Sequence, residues 1–236
     1  MKPQLSLEKI DSLDPSAPPQ ATAQPLSGGL YFRCVRATCT AFFRLYFRIE
    51  FHGFDHVPQH GPFILAPNHQ SFLDPFWVSV PFPYPLRYMT WDRFIYMPII
   101  GHFIRTLGAF PVKLEKSDRA ALRMSLEHLK QGGALMIFPE GGRTRTGHVM
   151  PFKPGVIRLA LDAQAPIIPV TVAGGYEAFS PHHWLPRPRK VKIIFHPPMS
   201  LPTDLEKDEL KLCLGEQSAR LQAIVESGFQ SVVGSR

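Results

Sequence analysis

The chain has 236 residues, with 26 lysines and arginines against 19 aspartates and glutamates, so its formal net charge is +7 and its pI is near 9.5. This length supports one α/β domain with a full core, or at most two small ones, and the basic balance favours an anionic partner over a basic surface without one. The three cysteines include no C-x-x-C pair, which argues against a disulfide framework or a zinc site and favours a reducing compartment.

The N-terminal residues 1–27 are rich in proline, alanine, serine and glutamine and poor in large apolar side chains. Such a segment cannot bury enough surface to offset its ordering entropy, so we predict a disordered tail. It contains no apolar run of the kind that marks a secretory signal. Arginine or proline cuts every later apolar run short of the ~20 residues that span a bilayer, so we expect a soluble protein or one that lies on a membrane.

Residues 28–51 are predicted to form an amphipathic helix. At about 100° per residue, one face carries polar side chains: Arg33, Arg36, Thr40, Arg44 and Arg48. The opposite face carries bulky apolar ones: Tyr31, Phe32, Val35, Cys39, Phe42, Phe43, Leu45, Tyr46 and Ile49. Phe47 intrudes on the polar face. Arginines opposite aromatics are typical of a helix in a membrane interface, and packing of that apolar face on the helix's own domain is the alternative.

Residues 52–236 are predicted to form an α/β domain, in which short apolar runs alternate with helical patterns. The candidate strands are 62–66, 86–90, 108–113, 134–138, 166–173 and 190–196. The candidate helices are 118–130, with Asp118 as its cap, 154–163, which begins at Pro154, and 204–227. The first of these should bury Ala121, Leu122, Ser125, Leu126 and Leu129. Nearly continuous apolar strands predict a largely parallel, mixed sheet flanked by helices.

The sequence N-H-Q-S-F-L-D-P follows the first of these strands and contains a histidine and a carboxylate, His69 and Asp74. A histidine is a natural general base for a hydroxyl when a carboxylate fixes its tautomer. Residues five apart point about 140° away from each other on an ideal helix. We therefore expect His69 to precede the helix and Asp74 to reach back across its first turn. A structural histidine is the alternative.

The sequence F-P-E-G-G-R-T-R-T-G follows the strand predicted at 134–138. Gly141 and Gly142 predict a loop whose backbone N–H groups can approach a phosphate, and Arg143 and Arg145 can grip its oxygens in bidentate fashion. Glu140 is predicted to hold an arginine or to bind a substrate hydroxyl. A basic turn without a ligand is the alternative, and no P-loop pattern is present.

These blocks resemble those of the glycerolipid acyltransferases, a family that includes lysophosphatidate acyltransferase. N-H-Q-S-F-L-D is similar to the family's N-H-x-x-x-x-D block, and F-P-E-G-G-R is similar to its F-P-E-G-x-R block. Residues 108–112 (G-A-F-P-V) and 165–170 (A-P-I-I-P-V) stand where the second and fourth blocks should be. Four blocks in the right order are far more specific than any one of them.

The resemblance implies transfer of a fatty acyl group from acyl-CoA or acyl-carrier protein to the free hydroxyl of a lysolipid, with no bound cofactor and no metal. His69 would take the hydroxyl proton, and Asp74 would orient the imidazole. Binding of the acceptor's head group would fall to residues of the third block: Glu140, Gly141, Gly142, Arg143 and Arg145. The resemblance favours lysophosphatidate as the acceptor and phosphatidate as the product.

Lys113 is a further candidate for binding the acceptor and marks a departure from the family, because members with phosphate acceptors commonly carry an arginine shortly after the second block. Lysine is a point charge and not a planar fork, so another lysolipid or hydroxyl acceptor is an alternative. A non-catalytic lipid-binding protein is a further alternative. We expect a peripheral or monotopic protein on the cytoplasmic face of a membrane, bound to anionic lipids and not to nucleic acid. Residues 182–190, where Trp184 stands beside basic groups, are a second candidate membrane contact or else an ordinary solvated loop.

Overall fold

A computed structural model describes residues 29–91, 109–112, 119–202 and 206–234. Its strands are β1 (Glu50–His52), β2 (Phe63–Pro67), β3 (Arg87–Trp91), β4 (Ala109–Val112), β5 (Ala134–Met136), β6 (Ile167–Ala173) and β7 (Lys192–Phe195). Its α-helices are α1 (Leu30–Tyr46), α2 (Asp74–Ser79), α3 (Arg119–Lys130), α4 (Gly155–Ala163), α5 (Gly175–Phe179) and α6 (Lys207–Val233). A 3₁₀ turn, Phe54–His56, follows β1.

The strands of the described ranges form one seven-stranded sheet in the order β1-β7-β6-β2-β5-β3-β4. The five strands from β6 to β4 in this order are parallel, whereas β7 is antiparallel to β6 and β1 is parallel to β7. The predicted class, a largely parallel mixed sheet flanked by helices, is confirmed. Because β2 lies between β5 and β6, loops that leave β2, β5 and β6 meet at one edge of the sheet.

Each predicted strand is present, with bounds that differ by one or two residues. The sequence did not predict β1, which is only three residues long and pairs with β7 at the border of the sheet. A strand that short carries almost no periodicity, so only its pairing identifies it. Two of its three residues, Glu50 and Phe51, lie in the range 28–51 predicted as a helix.

Alternate residues of the central strands face two separate cores. Phe63 and Leu65 of β2 pack on one side of the sheet, with α1, α2 and α5. Ile64 and Ala66 pack on the other side, with α3, α4 and α6. Helices on both faces explain why β2 and β6 are buried along their whole length and contain few polar residues.

Helix α1 ends at Tyr46, earlier than the predicted end at 51, because the chain turns there to enter β1. Its apolar face is divided. Phe32 and Phe43 are buried, whereas Leu30, Phe42 and Leu45 are 76%, 52% and 85% exposed. Part of the apolar face therefore packs on the helix's own domain, which is one of the two predicted alternatives, and part of it is exposed.

Two side chains at this helix lie where the predicted polar face does not place them. Arg36 turns toward the protein and donates from Nη1 to the carbonyl of Val80 at 3.4 Å. Phe47, which the helical pattern placed among polar residues, is fully buried and packs edge-on against Trp77, with ring centroids 5.0 Å apart. The helix ends before Phe47, so the helical pattern no longer governs where its side chain points.

The three helices predicted at 118–130, 154–163 and 204–227 are present as α3, α4 and α6 and differ in detail, whereas the sequence did not predict α5. In α3, Ser125 and Leu129 are buried, but Leu122 is 48% exposed, so its predicted burial is wrong. The predicted cap, Asp118, lies outside the described residues. Pro154 is the N-cap of α4 and not its first residue. A capping box of Glu206 and Glu209 begins α6, which continues to Val233, beyond the predicted end at 227.

Across the described ranges, none of the helices is both long and apolar enough to cross a bilayer. The three cysteines are free thiols: Cys34 is exposed, Cys39 is half-buried and Cys213 is buried.

Candidate active site

The first candidate residues lie where β2 ends. His69 stands in the loop after β2 and before α2, as the five-residue spacing predicts, and Asp74 is the first residue of α2. Backbone between them turns so that His69 Nδ1 lies 2.8 Å from Asp74 Oδ2. The predicted contact between imidazole and carboxylate is confirmed.

Asp74 is completely buried and held by several donors. Its Oδ2 accepts the backbone N–H groups of Gln70 at 2.6 Å and Ser71 at 2.7 Å, in addition to the imidazole N–H. Its place in the first turn of α2 also favours a negative charge. A carboxylate only accepts hydrogen bonds, so His69 Nδ1 carries a hydrogen, and in the neutral imidazole Nε2 then holds the free lone pair.

The ring of His69 is held on its face as well as at its edge. Phe138, which follows β5, stacks on the imidazole with centroids 4.0 Å apart and planes inclined by 25°. The histidine side chain is 17% exposed. A ring fixed at Nδ1 and on one face, yet still reachable from outside, is suited to proton transfer at Nε2.

Glu140 contacts the backbone of His69. Its Oε1 accepts the His69 N–H at 3.0 Å, and the residue is only 5% exposed. Burial raises its pKa to about 8, the hydrogen bond from His69 opposes that rise, and the charge of Asp74 adds to it. This partner differs from the predicted ones, an arginine or a substrate hydroxyl, because contacts across 71 positions depend on how β2 and β5 pair.

The first glycine of the loop at residues 141–142 does not offer its backbone N–H to a phosphate. Gly141 has a φ of 71°, which favours glycine, and its N–H donates to the Phe138 carbonyl at 3.1 Å, so that group is already used in the turn. Gly142 is exposed and its Cα faces open space. The ammonium of Lys153 lies above Gly141, close enough to meet any side chain added there. Sequence reasoning did not identify Lys153 as a site residue.

Arg143 lies near His69 and Asp74, which we call the dyad, and one nitrogen of its guanidinium group makes no hydrogen bond within the described residues. Its guanidinium carbon is 3.3 Å from the ring centroid of Phe72, in the block that contains His69. Its Nη1 is buried and has no hydrogen-bond partner in the described part of the chain. Burial lowers its pKa and the charge of Asp74 opposes the shift. A buried cationic donor without a partner is costly unless an anion completes it.

Of the two remaining predicted binding residues, Arg145 and Lys113, the structure describes the first. Arg145 is exposed, and its backbone carbonyl accepts the Tyr176 hydroxyl at 2.7 Å and binds His182 Nε2 at 3.2 Å. Lys113 lies outside the described residues.

Two buried amides beside His69 hold its loop and were not singled out from the sequence. The Asn68 side chain pairs with both backbone groups of Val172, at 2.9 and 2.7 Å, as a strand residue would. Gln70 donates to the Gly147 carbonyl at 2.9 Å and accepts from the N–H of Gly175 at 3.1 Å. Polar residues directly after a fully apolar strand are the feature that could have identified them.

The described residues contain no group of three or more histidine, cysteine, aspartate or glutamate side chains that could hold a metal ion. The arrangement places an imidazole against a buried carboxylate, with a guanidinium group nearby.

Comparison with known proteins gives a consistent result. The family model described as acyltransferase matches residues 48–173. The chain is 26% identical over 182 residues to the chloroplastic 1-acyl-sn-glycerol-3-phosphate acyltransferase BAT2 of Brassica napus. The aligned region covers 72% of this chain and 51% of that protein. It is 28% identical over 155 residues to the 1-acyl-sn-glycerol-3-phosphate acyltransferase of Bacillus subtilis, covering 64% of this chain and 73% of that one.

The fold is also similar to a solved structure. The crystal structure of PlsC, the 1-acyl-sn-glycerophosphate (LPA) acyltransferase of Thermotoga maritima, matches with a TM-score of 0.71 and 25% identity. The match covers 85% of this chain and 79% of that chain. The chain spans about half the length of the Brassica napus relative, 51%.

Proposed function

We propose that this chain, which belongs to the acyltransferase family, transfers a fatty acyl group to the free hydroxyl of lysophosphatidate. The donor is acyl-CoA or acyl-carrier protein, and the product is phosphatidate. The observation that carries this proposal is the 2.8 Å hydrogen bond between His69 Nδ1 and a fully buried Asp74. In the neutral ring this bond places the hydrogen on Nδ1 and the free lone pair on Nε2, and the His69 side chain is still 17% exposed, which is what a general base for a hydroxyl requires.

In the proposed reaction, His69 Nε2 takes the proton of the acceptor hydroxyl as its oxygen attacks the thioester carbonyl carbon. The new C–O bond gives a tetrahedral oxyanion, which collapses as the C–S bond breaks. The leaving thiolate takes the proton from the imidazolium. Asp74 stabilises that imidazolium and keeps the ring in one tautomer throughout, as the carboxylate does in a Ser-His-Asp triad.

Arg143 is proposed to bind the acceptor's phosphate, because its buried Nη1 has no hydrogen-bond partner among the described residues. Gly142, Arg145 and Lys113 are proposed as further contacts of the head group. For Glu140 we propose that its carboxyl positions His69 through the backbone N–H, since that group is buried and already shared.

We also propose that the protein is peripheral or monotopic on the cytoplasmic face of a membrane, where its lipid substrates are dissolved. Burying one methylene is worth about 0.8 kcal/mol, so long acyl chains strongly prefer a bilayer to water. The outward apolar residues of α1, with Leu45 85% exposed, support this location. In this proposal residues 1–27 are a tail, α1 is the interfacial helix, and the domain that follows performs the transfer.

A substrate panel tests the function. Lysophosphatidate, lysophosphatidylcholine and glycerol 3-phosphate are each offered with acyl-CoA or acylated carrier protein, and products are read by mass spectrometry. We expect phosphatidate from lysophosphatidate. Product from another acceptor alone would assign this chemistry to a different hydroxyl, and no product from any pair would favour the non-catalytic lipid-binding protein.

A pair of histidine variants tests the base. His69→Ala should lower turnover by about 10²–10⁴-fold, the range of general-base contributions. His60→Ala is the matched control, because His60 is exposed on the loop that enters β2 at the opposite edge of the sheet. Circular dichroism should show that both variants fold. Retained turnover in folded His69→Ala would remove His69 from this role.

A further inference from the structure

The loop between α5 and β7 presents an apolar tip that is held in place. Trp184 and Leu185 are 89% and 60% exposed. We refer to residues 181–190 as the Trp184 loop. The Pro186 carbonyl accepts the Tyr46 hydroxyl of α1 at 2.9 Å, and the Arg187 N–H donates to the Ala178 carbonyl at 2.7 Å. On the other side of the tip, the His183 N–H donates to the Ser180 carbonyl at 3.0 Å. The indole therefore projects from a fixed base.

Basic side chains surround an open cavity of about 590 Å³ beside this tip. Five of its lining residues are cationic: Arg48, Arg187, Arg189, Lys190 and Lys192. Glu177 also lines the cavity, and Glu50 lies 2.5 Å from the Lys190 ammonium. Five cations against these two carboxylates leave a local excess of positive charge, which attracts an anionic partner.

The cavity opens at the same edge of the sheet as the dyad. Lys192, the first residue of β7, pairs with Ala173, the last residue of β6. Tyr176, which lines the cavity, donates its backbone N–H to Gln70, the neighbour of His69, at 3.3 Å. The end of α1 is bonded to the loop through Tyr46. Tip, cations, helix and dyad therefore share one side of the molecule.

We propose that the Trp184 loop and its cationic cavity form a second docking surface for an anionic bilayer, which acts with α1 to turn the catalytic edge toward the lipid. Tryptophan prefers the interface between headgroups and chains, and arginine and lysine beside it lie at the depth of the lipid phosphates. This inference rests on the proposed function, because it takes the substrates to be membrane lipids. A protein bound through α1 alone could rotate about the axis of that helix. A second apolar contact at the tip fixes its orientation on the membrane.

Fluorescence quenching by lipids with brominated acyl chains tests the position of the indole, using the full chain and vesicles that contain phosphatidylglycerol. The chain has three tryptophans, of which Trp77 is fully buried. We expect bound protein to be quenched and Trp184→Phe to lose most of the quenched fraction. Equal quenching in both proteins, or none in bound wild type, would overturn the proposal.

Charge reversal tests the cations. Arg187→Glu with Arg189→Glu should weaken binding to anionic vesicles at least about tenfold. The control is Lys211→Glu with Arg220→Glu on α6, which makes the same change in net charge. Both positions lie at least roughly 18 Å along the helix from Val232, a residue that lines the cavity. An equal loss in the control pair would show that only total charge matters. Unchanged vesicle binding with weaker binding of acyl-carrier protein would show that the partner is an acidic protein.

A soluble assay separates this inference from the function on which it rests. With a short-chain lysophosphatidate and a short-chain thioester below their aggregation limits, the docking variants should turn over as wild type does. A loss only on vesicles then supports docking. Absence of turnover in the wild-type protein in this assay would count against the proposed function, while the quenching and binding results would still decide the docking surface.

Discussion

Asp74 is a fully buried carboxylate whose cost of burial is offset by its neighbours. An unpaired charge in an apolar interior is very unfavourable, so it persists only with hydrogen bonds and a partner. Here two backbone N–H groups and the imidazole N–H converge on Oδ2, at 2.6 to 2.8 Å. The same bonds that stabilise the charge also fix the direction of the imidazole, so stability and orientation have one cause.

Glu140 should make stability depend on pH. Its folded-state pKa is about 8 against an ordinary value of 4.5, so the folded protein binds more protons than the unfolded chain between these values. The contribution of the neutral acid is therefore fully present below about 4.5 and is lost as pH rises through about 8. In Glu140→Gln the side chain stays neutral. We expect its Tm to fall less than that of wild type between about pH 5 and 9.

The control for this measurement is Glu226→Gln, an exposed carboxylate on α6. Its Tm profile should follow that of wild type. Parallel profiles for Glu140→Gln and wild type would show that Glu140 is ionised at little cost in the folded protein.

Arg143→Ala should affect the acceptor more than the donor. The guanidinium has a buried Nη1 to offer to a phosphate, and charge-assisted hydrogen bonds are worth roughly 1.5–3 kcal/mol. We expect the acceptor KM to rise about 10- to 100-fold, while the thioester KM changes little. Steady-state kinetics with each substrate varied in turn measures both. Arg123→Ala, on the exposed face of α3, is the matched control, and equal effects on both substrates would argue against head-group binding.

At the scale of the element, α1 belongs both to the core and to the surface. Phe43 packs in the same core as the fully buried Phe47, one helical turn further on, and β1 then joins the sheet. Deleting residues 1–51 would therefore expose core surface and remove a strand, so loss of membrane binding after such a deletion would have two explanations. Substitution of the outward side chains alone avoids this ambiguity.

Phe42→Ser with Leu45→Ser should weaken vesicle binding without unfolding the protein. Both side chains are more than half exposed, and each contributes roughly 1.5–3 kcal/mol when fully buried in an apolar phase. A flotation assay should show vesicle affinity lowered tenfold or more, which corresponds to the burial free energy of roughly one of these side chains. The Tm should stay near that of wild type. Leu212→Ser, which changes a 65% exposed leucine on α6, should float as wild type does. Undiminished flotation of the α1 variant would show that this face is not the anchor.

At the scale of the whole molecule, the dyad depends on an element far away in the chain. Gly175 begins α5 after β6, and a Cβ there would lie 3.1 Å from Asp74 Oδ1 and 3.2 Å from the Trp77 ring. Both neighbours are fully buried, so neither can yield freely. The absence of a side chain at Gly175 is thus part of what lets α2 and α5 meet beneath the imidazole.

Gly175→Ala should therefore lower turnover, by roughly tenfold, together with a loss of about 1–3 kcal/mol in stability from overpacking. Gly215→Ala is the control, because nothing lies within 4 Å of a Cβ at that position in α6. An alanine inside a helix should stabilise by roughly 0.5–1 kcal/mol and leave turnover unchanged. Denaturant unfolding and initial rates measure both, and full activity in Gly175→Ala would show that Asp74 tolerates displacement.

Much of the fold was predictable because its causes are local. The central strands are apolar along their whole length, so β2 and β6 were recognisable, and helices such as α4 end where a proline follows. The surroundings of single residues were less predictable. Leu122 fits a buried stripe yet is 48% exposed, and Arg36 fits a polar face yet turns inward. Periodicity gives the direction of a side chain around its own helix, but not what lies opposite.

The sequence by itself determined the positions of the main strands and the place of His69 before a helix whose first turn brings Asp74 back to it, because burial pattern and local spacing act over a few residues. Only the tertiary structure decided that Glu140 accepts the His69 N–H, that Gln70 binds the start of α5, and that Tyr46 of α1 binds the Trp184 loop. Those contacts follow from the order of strands in the sheet. That order is set by which surfaces bury one another across the whole chain, and no short stretch of sequence contains it.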